Sequence, residues 1–369
     1  MARPIRVAQL IQYFGIGGIE RMVEGFVPPF SARGVDTVVA AYRGDGPVRQ
    51  ALEARGARAT LLPGRAGLDP LLPFRIARWI RTSGADVLHT HHLGPFIYGA
   101  AAARLAGVPH VQTEHSHEIY DAPRRRAIGR RMDGLATVVA VSEEIASWRE
   151  ATLGRRCTVI PNGVPVPPIA TPELRARARA VLGLEPDDVA VGCVARLAPE
   201  KDHATLVRAV HAALPTGPRL RLVLVGDGPE RATLESLSSD LGLADRVLFL
   251  GSRSDVAGLL PGLDLFTLAS RREGLPLSLL EALAAGIPAV TTAVGEMPRV
   301  LSGGAGRTVP AGDVPALATA MAAAATDPAW RRTAGASGRE LVRSSYSMGA
   351  MADAYVHVYR SALHRRRAA

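Results

Sequence analysis

The sequence predicts an α/β protein built from two doubly wound parallel sheets. In each half of the chain, short apolar segments alternate with helical ones, as expected for parallel strands joined by crossover helices. Five prolines between residues 161 and 172 interrupt this alternation, and neither a helix nor a central strand tolerates so many. At 369 residues the chain is long enough for two domains of ordinary size, with the proline-dense segment as the linker.

The elements follow in order from the alternation. In the first half we expect strands at 5–10, 35–41, 59–62, 87–89, 108–112 and 137–141, a loop at 15–18 and a helix at 20–30. In the second half we expect a helix at 173–182, strands at 189–194, 220–225, 247–250, 263–267 and 289–292, and a terminal helix at 348–366. Two such sheets joined by a hinge predict a cleft at the carboxyl ends of the strands, where open α/β sheets bind ligands.

The net charge and the placement of the arginines limit the kinds of binding partner that the sequence predicts. The formal net charge is +10, with arginine concentrated at 124–131 and 364–367. A single-stranded nucleic-acid surface needs aromatic residues among its basic ones, but only 5% of the residues are aromatic and they are not so placed, so no nucleic-acid partner is expected. Peripheral contact with an anionic membrane and simple solvation of arginine-rich helices both stay open. For the amphipathic segment 71–81, a membrane-surface helix and an ordinary core helix are both open.

The cellular compartment is predicted from what the sequence lacks. No apolar run approaches the ~20 residues of a membrane span, and the N-terminus enters a strand pattern without a signal-peptide core. The two cysteines, Cys157 and Cys193, form no disulfide framework or cysteine-based metal site. We therefore expect a cytoplasmic protein.

The most informative segment, residues 270–282, holds two glutamates eight residues apart. Gly274 and Pro276 favour a turn that starts a helix, and the next residues are strong helix formers. Backbone N–H groups at a helix start attract anions such as phosphate. Glu273 precedes the turn, and Glu281 is expected about two helical turns inside. This arrangement suits a ligand with hydroxyls at both ends and phosphate in the middle, which describes a nucleotide-sugar.

The same segment, followed by residues 285–290, resembles the donor-site signature of the retaining family-4 glycosyltransferases of GT-B fold. Further matches in family order lie between about residue 5 and about residue 345, at 15–20, 89–91, 113–115, 141–142, 160–164, 194–201 and 224–229.

The resemblance implies two Rossmann-like domains facing a central cleft. They would be an acceptor domain at 1–165, a donor domain at 166–345, and a helix at 346–369 that crosses back to the first. The activity implied is transfer of a sugar, from a UDP-sugar more often than a GDP-sugar, to a hydroxyl acceptor in polysaccharide, glycolipid or secondary-metabolite synthesis. No metal or other cofactor is expected.

The resemblance also implies roles for particular residues. Glu281 would bind the ribose hydroxyls and Glu273 the hydroxyls of the transferred sugar. Backbone N–H groups of Leu275, Leu277 and Ser278 would hold the distal phosphate. Donor-binding positions are Gly17, Gly18, Asp227, Arg253, Gly274, Leu275, Pro276, Leu277 and Glu281. Catalytic positions are His115, Arg196, Lys201 and Glu273. His115 would contact the donor sugar beside its anomeric centre and is not assigned as a base.

Arg196 and Lys201 follow the first strand of the second half. Two cations so placed can clamp a diphosphate and neutralise the leaving group, although a pair of surface cations is the plainer interpretation. Gly17 and Gly18 open the first helix, where they allow close approach of a ligand or simply form a tight turn. The dinucleotide-binding interpretation requires an acidic residue after the second strand, and residues 38–43 offer none.

Six histidines suggest a metal site, at positions 89, 91, 92, 110, 115 and 117. Their spacing matches no zinc motif, and hydrogen bonding at strand ends explains them equally well.

One departure from the family concerns the loop after residue 292, where Glu296 replaces a glycine and Arg299 a glutamate. In the family this loop helps hold the donor sugar or its phosphate, so the departure bears on which sugar is transferred.

Two other classes of function share this architecture or its sites. A nucleotide-sugar epimerase or a glycan phosphorylase would use the same cleft with different acceptor chemistry. A catalytically inactive binding module is a third possibility, and the intact set of charged positions argues against it.

Overall fold

The computed structural model describes residues 3–15, 17–65, 67–116, 120–214 and 219–368. The chain divides into two compact units. The first comprises Met1–Gly163 with Met348–Ala369, and the second comprises Val164–Ser347.

The first unit is built on a parallel sheet, whose described strands number seven and lie in the order β3-β2-β1-β4-β5-β6-β7. The strands are β1 Ile5–Tyr13, β2 Val35–Gly44, β3 Arg58–Leu61, β4 Val87–His91, β5 His110–Glu114, β6 Thr137–Ala140 and β7 Thr158–Val159. The helices are α1 Gly18–Ser31, α2 Pro47–Ala54, α3 Leu72–Ser83, α4 Leu93–Ala106, α5 Pro123–Met132, α6 Glu143–Leu153 and, from the end of the chain, α15 Met348–Ala368.

Side-chain alternation along β1 explains why both faces of this sheet are covered. Val7 and Ile11 point to one face, where they pack in a core with residues of α1, α2 and α15. Ala8 and Leu10 point to the other face and pack with residues of α3 and α4. A sheet buried on both faces needs apolar side chains at successive positions, which is why its strands read as continuous apolar runs.

The second unit has the same architecture with a separate core. Its described strands lie in the order β10-β9-β8-β11-β12-β13, all parallel. They are β8 Val189–Val194, β9 Leu220–Val225, β10 Val247–Phe249, β11 Leu265–Leu268, β12 Ala289–Thr292 and β13 Gly306–Val309. The α-helices are α7 Pro172–Val181, α8 His203–Ala213, α9 Arg231–Asp240, α10 Val256–Leu259, α11 Leu277–Ala284, α12 Met297–Leu301, α13 Val314–Thr326 and α14 Pro328–Leu341. Two 3₁₀ turns, Pro199–Lys201 and Leu260–Gly262, and a π-helical turn, Val342–Tyr346, complete it.

The predicted fold class, two Rossmann-like units with parallel sheets, is confirmed. Each predicted strand is present, with ends that differ by a few residues. The sequence analysis missed β7 and β13, which lie at sheet edges and pair on one side only. Such strands need little apolar surface, and Gly306–Val309 carries too few apolar side chains to stand out.

Helix α3 accounts for the amphipathic pattern at 71–81. Leu72, Ile76 and Ile80 are buried in the core between α3, α4 and the sheet, so the apolar stripe packs inside the unit. Among the described residues, no helix combines the length and apolarity needed to cross a membrane. Cys157 and Cys193 are both free thiols.

Candidate functional site

The loops at the carboxyl ends of β8 and β11 bring Lys201 and Glu273 together. The Lys201 ammonium Nζ lies 2.6 Å from Glu273 Oε1, and the Ser270 hydroxyl donates to the same oxygen at 2.7 Å. The Glu273 side chain is 8% exposed and that of Lys201 is 22% exposed. This pair was predicted as two separate site residues, and the structure makes it one ion pair across 72 positions of sequence.

Backbone hydrogen bonds hold the surrounding loops in place. The Arg271 N–H donates to the Glu200 carbonyl at 2.9 Å, which joins the loop after β11 to the 3₁₀ turn that carries Lys201. The buried Thr292 hydroxyl, at the end of β12, donates to the Ser270 carbonyl at 2.6 Å. Three consecutive strand ends of the second sheet therefore support one carboxylate and one ammonium.

Helix α11 begins directly after this ion pair. Its N-cap is Pro276, whose side chain cannot accept a hydrogen bond from the first turn, so the backbone N–H groups there are not capped by it. Such a helix start favours an anion. Glu281 lies only four residues past Leu277, about one turn inside, so the predicted two turns were wrong.

The remaining predicted residues of the second unit lie on neighbouring loops at the surface. Arg196 is 67% exposed and pairs with Glu200 at 2.7 Å. Asp227 accepts the Gly228 N–H at 2.8 Å, and its carbonyl accepts the Leu197 N–H at 3.0 Å. Arg253 forms a two-bond ion pair with Asp255 at 2.8 and 2.6 Å. The structure therefore joins the loops after β8 and β9, but it gives Arg196 and Arg253 acidic partners other than Glu273.

The loop that departs from the family pattern contacts the Glu273 loop directly. The Glu296 N–H donates to the Gly274 carbonyl at 3.0 Å, and a Cβ at Gly295 would lie 2.2 Å from the Glu273 carbonyl oxygen. Gly295 also has φ +55°, a left-handed conformation that favours glycine. Arg299 donates to the buried Glu296 carboxylate at 2.5 Å. The two positions that depart from the family pattern thus form one ion pair beside the loop that carries Glu273.

In the first unit, His115 follows β5 and contacts a second histidine. Its Nε2 lies 3.1 Å from Nδ1 of His91, and Nε2 of His91 lies 2.7 Å from Oε1 of Gln9. Burial, with a smaller contribution from the nearby His92, lowers the pKa of His115 well below its ordinary value. At neutral pH His115 is therefore an uncharged imidazole that can both donate and accept a hydrogen bond.

Gly17 and Gly18 lie where the sequence placed them, at the start of α1. Gly17 is the N-cap, with extended backbone, and Gly18 is the first helical residue. A Cβ at Gly17 would lie 2.3 Å from the Glu20 carboxylate, so the Glu20 side chain already occupies the space beside the glycine.

Among the six histidines considered for a metal, His117 lies outside the described residues. In the part of the chain that is described, no three His, Cys, Asp or Glu side chains are grouped to hold a metal.

Sequence reasoning missed two polar residues that contact the predicted ones. Ser270 lies in the segment 270–282, but the sequence analysis gave it no role. A hydroxyl that is buried at the end of a strand is expected to bond a neighbour. Gln9, in the middle of the apolar strand β1, gave the same signal, since an amide among apolar residues is buried only with partners. The partner of Ser270, Glu273, is only three residues away, whereas the partners of Gln9 lie on β4 and α15 and could not be named without the tertiary fold.

Comparisons with known proteins identify the family of this chain. Residues 175–341 match the family model described as glycosyl transferases group 1, and residues 16–166 match that of glycosyltransferase family 4. The GDP-mannose-dependent alpha-(1-6)-phosphatidylinositol monomannoside mannosyltransferase of Mycolicibacterium smegmatis is 31% identical over 344 residues, 88% of this chain and 89% of the relative. The lipopolysaccharide core biosynthesis glycosyltransferase LpsD of Rhizobium meliloti is 31% identical over 357 residues, 94% and 96% of the two chains.

Solved structures with the same fold are more distant in sequence. A glycosyltransferase from Rickettsia africae matches with a TM-score of 0.85 at 18% identity, covering 98% of this chain and 99% of that one. HepE of Anabaena in complex with UDP matches with a TM-score of 0.83 at 22% identity, covering 97% and 100%. Together with the family models, the relatives at 31% identity show that this chain belongs to the family-4 glycosyltransferases of GT-B fold.

Proposed function

We propose that this glycosyltransferase moves a sugar from a nucleoside-diphosphate sugar to a hydroxyl acceptor with retention of the anomeric configuration. The observation that carries the proposal is the ion pair between Lys201 and Glu273, with Ser270 on the same carboxylate oxygen, directly before the start of α11. This ion pair brings a cation and a carboxylate that can accept hydroxyl hydrogen bonds together at the helix start, where backbone N–H groups are donors.

Each part suits one part of the donor. The first-turn N–H groups of α11 and the Lys201 ammonium bind the diphosphate, and their positive potential stabilises the leaving phosphate as the glycosidic bond breaks. The Glu273 carboxylate accepts hydrogen bonds from hydroxyls of the transferred sugar. Arg196, being largely exposed, can turn from Glu200 to a phosphate when donor is present. Glu281 binds the ribose. Asp227 and Arg253 lie on loops that, by the resemblance to the family, hold the nucleotide base.

Retention is proposed to follow a front-face route. The bond between the anomeric carbon and the phosphate oxygen breaks, the acceptor oxygen bonds to the same face, and the leaving phosphate takes the acceptor's proton. His115 contacts the transferred sugar, as the resemblance implies. In this proposal Glu273 accepts hydrogen bonds from sugar hydroxyls and does not attack the anomeric carbon, as the nucleophilic carboxylate of a glycosidase-type double displacement would. No metal is assigned a role, because Lys201 and Arg196 supply the positive charge.

The nucleotide is a choice between UDP and GDP. The resemblance favours UDP, and the HepE structure named above holds UDP. The relatives at 31% identity include an enzyme named for GDP-mannose, which makes GDP-mannose the second donor to test. The acceptor is proposed to be a glycan or glycolipid hydroxyl, since the relatives are named for lipopolysaccharide core and phosphatidylinositol mannoside synthesis.

A thermal-shift comparison of UDP, GDP, ADP and dTDP tests donor binding. A ligand at 100 times its Kd stabilises the folded protein by about 2.7 kcal/mol, so one nucleoside diphosphate is expected to raise the Tm by several degrees. UDP is expected to give the largest rise. The shift should be smaller in Lys201→Ala, which loses the cation at the diphosphate. A Tm that is unchanged by all four nucleotides, at millimolar concentration and without added metal, would contradict the proposed donor site.

The proposal also includes peripheral contact of the first unit with an anionic membrane. Leu68, Leu71 and Phe74 are 82%, 51% and 60% exposed at the start of α3, and the exposed Arg78 lies one turn beyond Phe74. Apolar side chains beside a cation suit a membrane surface.

Sedimentation with vesicles tests this contact. Full-length protein is expected to sediment with phosphatidylglycerol vesicles and to be released by high salt, and Phe74→Ser should weaken the binding several-fold. Leu174→Ser, at a leucine 53% exposed in the second unit, is the control that should leave binding unchanged. Equal binding by both variants and the wild type would exclude this surface.

A further inference from the structure

A buried chain of polar side chains runs through the first unit to His115. Alternation along the strands places Gln9 of β1, His89 and His91 of β4 and Thr113 of β5 on the sheet face that α15 covers. Tyr355 and Tyr359 of α15 complete the chain from the helix side, and all six side chains are at most 1% exposed.

The contacts run in one order. Tyr355 and Thr113 hydroxyls lie 2.9 Å apart, and Thr113 Oγ1 lies 2.8 Å from His89 Nε2. His89 Nδ1 lies 2.7 Å from the Tyr359 hydroxyl, and the Gln9 amide nitrogen is 3.4 Å from that hydroxyl. From Gln9 the chain continues through His91 to His115, as described above. Each side chain touches the next, so the protonation of one constrains its neighbour.

His91 and His115 are both neutral near pH 7, so each ring carries one proton. Burial lowers the pKa of both His91 and His115 well below the ordinary value, so each ring is neutral near pH 7. A neutral imidazole has one N–H donor and one acceptor nitrogen. Whichever nitrogen of His91 carries its proton therefore decides which nitrogen of His115 carries the other.

The orientation of the Gln9 amide selects the His91 tautomer. The 2.7 Å contact from His91 Nε2 to Gln9 Oε1 is a normal N–H···O distance. The 3.4 Å contact from the Gln9 amide nitrogen to the Tyr359 hydroxyl is somewhat longer than a usual N–H···O bond. With the amide turned over it would be a hydroxyl donating to an oxygen, which lies further outside the usual O–H···O range. The oxygen therefore faces His91, and His91 Nε2 carries the proton that it accepts.

The tautomer of His91 determines the tautomer of His115. With its proton on Nε2, His91 presents a lone pair at Nδ1, and the 3.1 Å contact requires a donor at His115 Nε2. We propose that Gln9, acting through His91, is a positioning residue that holds His115 with its proton on Nε2 and its lone pair on Nδ1. Resting on the proposed function, this makes His115 Nδ1 an acceptor for a hydroxyl of the donor sugar and not a donor to it.

The test measures the tautomer itself. Full-length protein labelled with 15N-histidine is examined by two-bond nitrogen–proton correlation NMR at pH 7.5, and His115 is assigned by the signals missing in His115→Gln. The wild type is expected to show a protonated Nε2 and an unprotonated Nδ1 for His115. The opposite pattern in the wild type would overturn the proposal without any variant of Gln9.

Two variants separate positioning from general structure. Gln9→Met keeps the side-chain length but removes the acceptor, so His91 can carry its proton on either nitrogen, and His115 is expected to shift to a mixture of tautomers with a lower kcat. Tyr355→Phe removes an equally buried hydroxyl at the far end of the chain, which bonds Thr113, and is expected to leave the His115 signals unchanged.

The outcomes distinguish this inference from the proposed function. Wild-type His115 signals in Gln9→Met, or the same shift in Tyr355→Phe, would show that Gln9 does not set the tautomer. If no nucleotide-sugar is turned over by the wild type, the proposed function fails, while the NMR result still decides the role of Gln9.

Discussion

Replacing Lys201 with alanine is expected to lower kcat for sugar transfer by about 10²–10³-fold, the usual effect of removing one preorganised group that stabilises a developing anion. In the proposed reaction the ammonium neutralises the diphosphate as it leaves, and no water molecule can supply that charge. Steady-state transfer to a hydroxyl acceptor, with the donor that gives the largest thermal shift, measures the effect. Since the lost interaction strengthens in the transition state, kcat should fall more than the affinity for donor.

Glu273→Ala is expected to be as damaging, and the two losses should not add. The carboxylate and the ammonium hold each other in place at 2.6 Å, so removing either one also releases its partner. The double variant should therefore be about as inactive as each single one, as is usual for residues that act as a unit. Activity within tenfold of the wild type in either single variant would contradict the proposed roles of both residues.

The control must lose an ion pair of similar burial elsewhere in the same unit. Arg179 and Asp264 lie 3.2 Å apart with side chains 12% and 13% exposed, and Asp264 directly precedes β11, at its amino end. Lys201→Ala should cost about 1–3 kcal/mol of stability because it leaves a mostly buried carboxylate with fewer partners. Arg179→Ala should cost at least as much, since Arg179 also donates to backbone carbonyls such as that of Asp188. Only Lys201→Ala should lose transfer. Equal loss in both variants would show that activity follows the stability of the unit.

The fold was largely predictable because its strands are covered on both faces. Val189–Val194, buried along nearly its whole length, reads as a strand without knowledge of its neighbours. The candidate site was predictable only as a set of positions. Lys201 and Glu273 were both named, but their ion pair depends on β8 and β11 being adjacent in the sheet, although β9 and β10 lie between them in sequence. Strand order is a tertiary property that local pattern does not contain.

The role of the buried histidines could not be predicted from the sequence either, because it also depends on tertiary contacts. Six histidines in 29 residues suggested a metal or hydrogen bonds, and composition could not choose between them. The partners that decide it, Gln9 and Tyr359, lie 82 positions before His91 and 270 positions after His89. Helix α15 must return to the first sheet before the hydroxyl of Tyr359 can reach a ring nitrogen of β4.

Acidification is expected to destabilise the first unit strongly through its buried histidines. Burial lowers the pKa of His110 to about 3, and His89, His91 and His115 are shifted in the same direction. The folded state keeps these rings neutral, whereas the unfolded chain takes up protons below about pH 6.5. Stability is therefore full above pH 6.5 and falls as the pH drops from there toward the folded pKa. Between pH 7.5 and 5.5 each such histidine removes about 1.4 kcal/mol.

His110 allows this to be tested at one ring, because its recorded bond is to Thr90 at 2.7 Å and it lies outside the chain that ends at His115. Denaturant unfolding, followed by the fluorescence of Trp79 and Trp148 in the first unit, is measured at both pH values. His110→Gln should lose about 1.4 kcal/mol less than the wild type over this interval, whatever its stability at pH 7.5. His357→Gln, at an exposed position of α15, should keep the wild-type loss. A loss in His110→Gln equal to that of the wild type would mean that His110 is not held neutral by the fold.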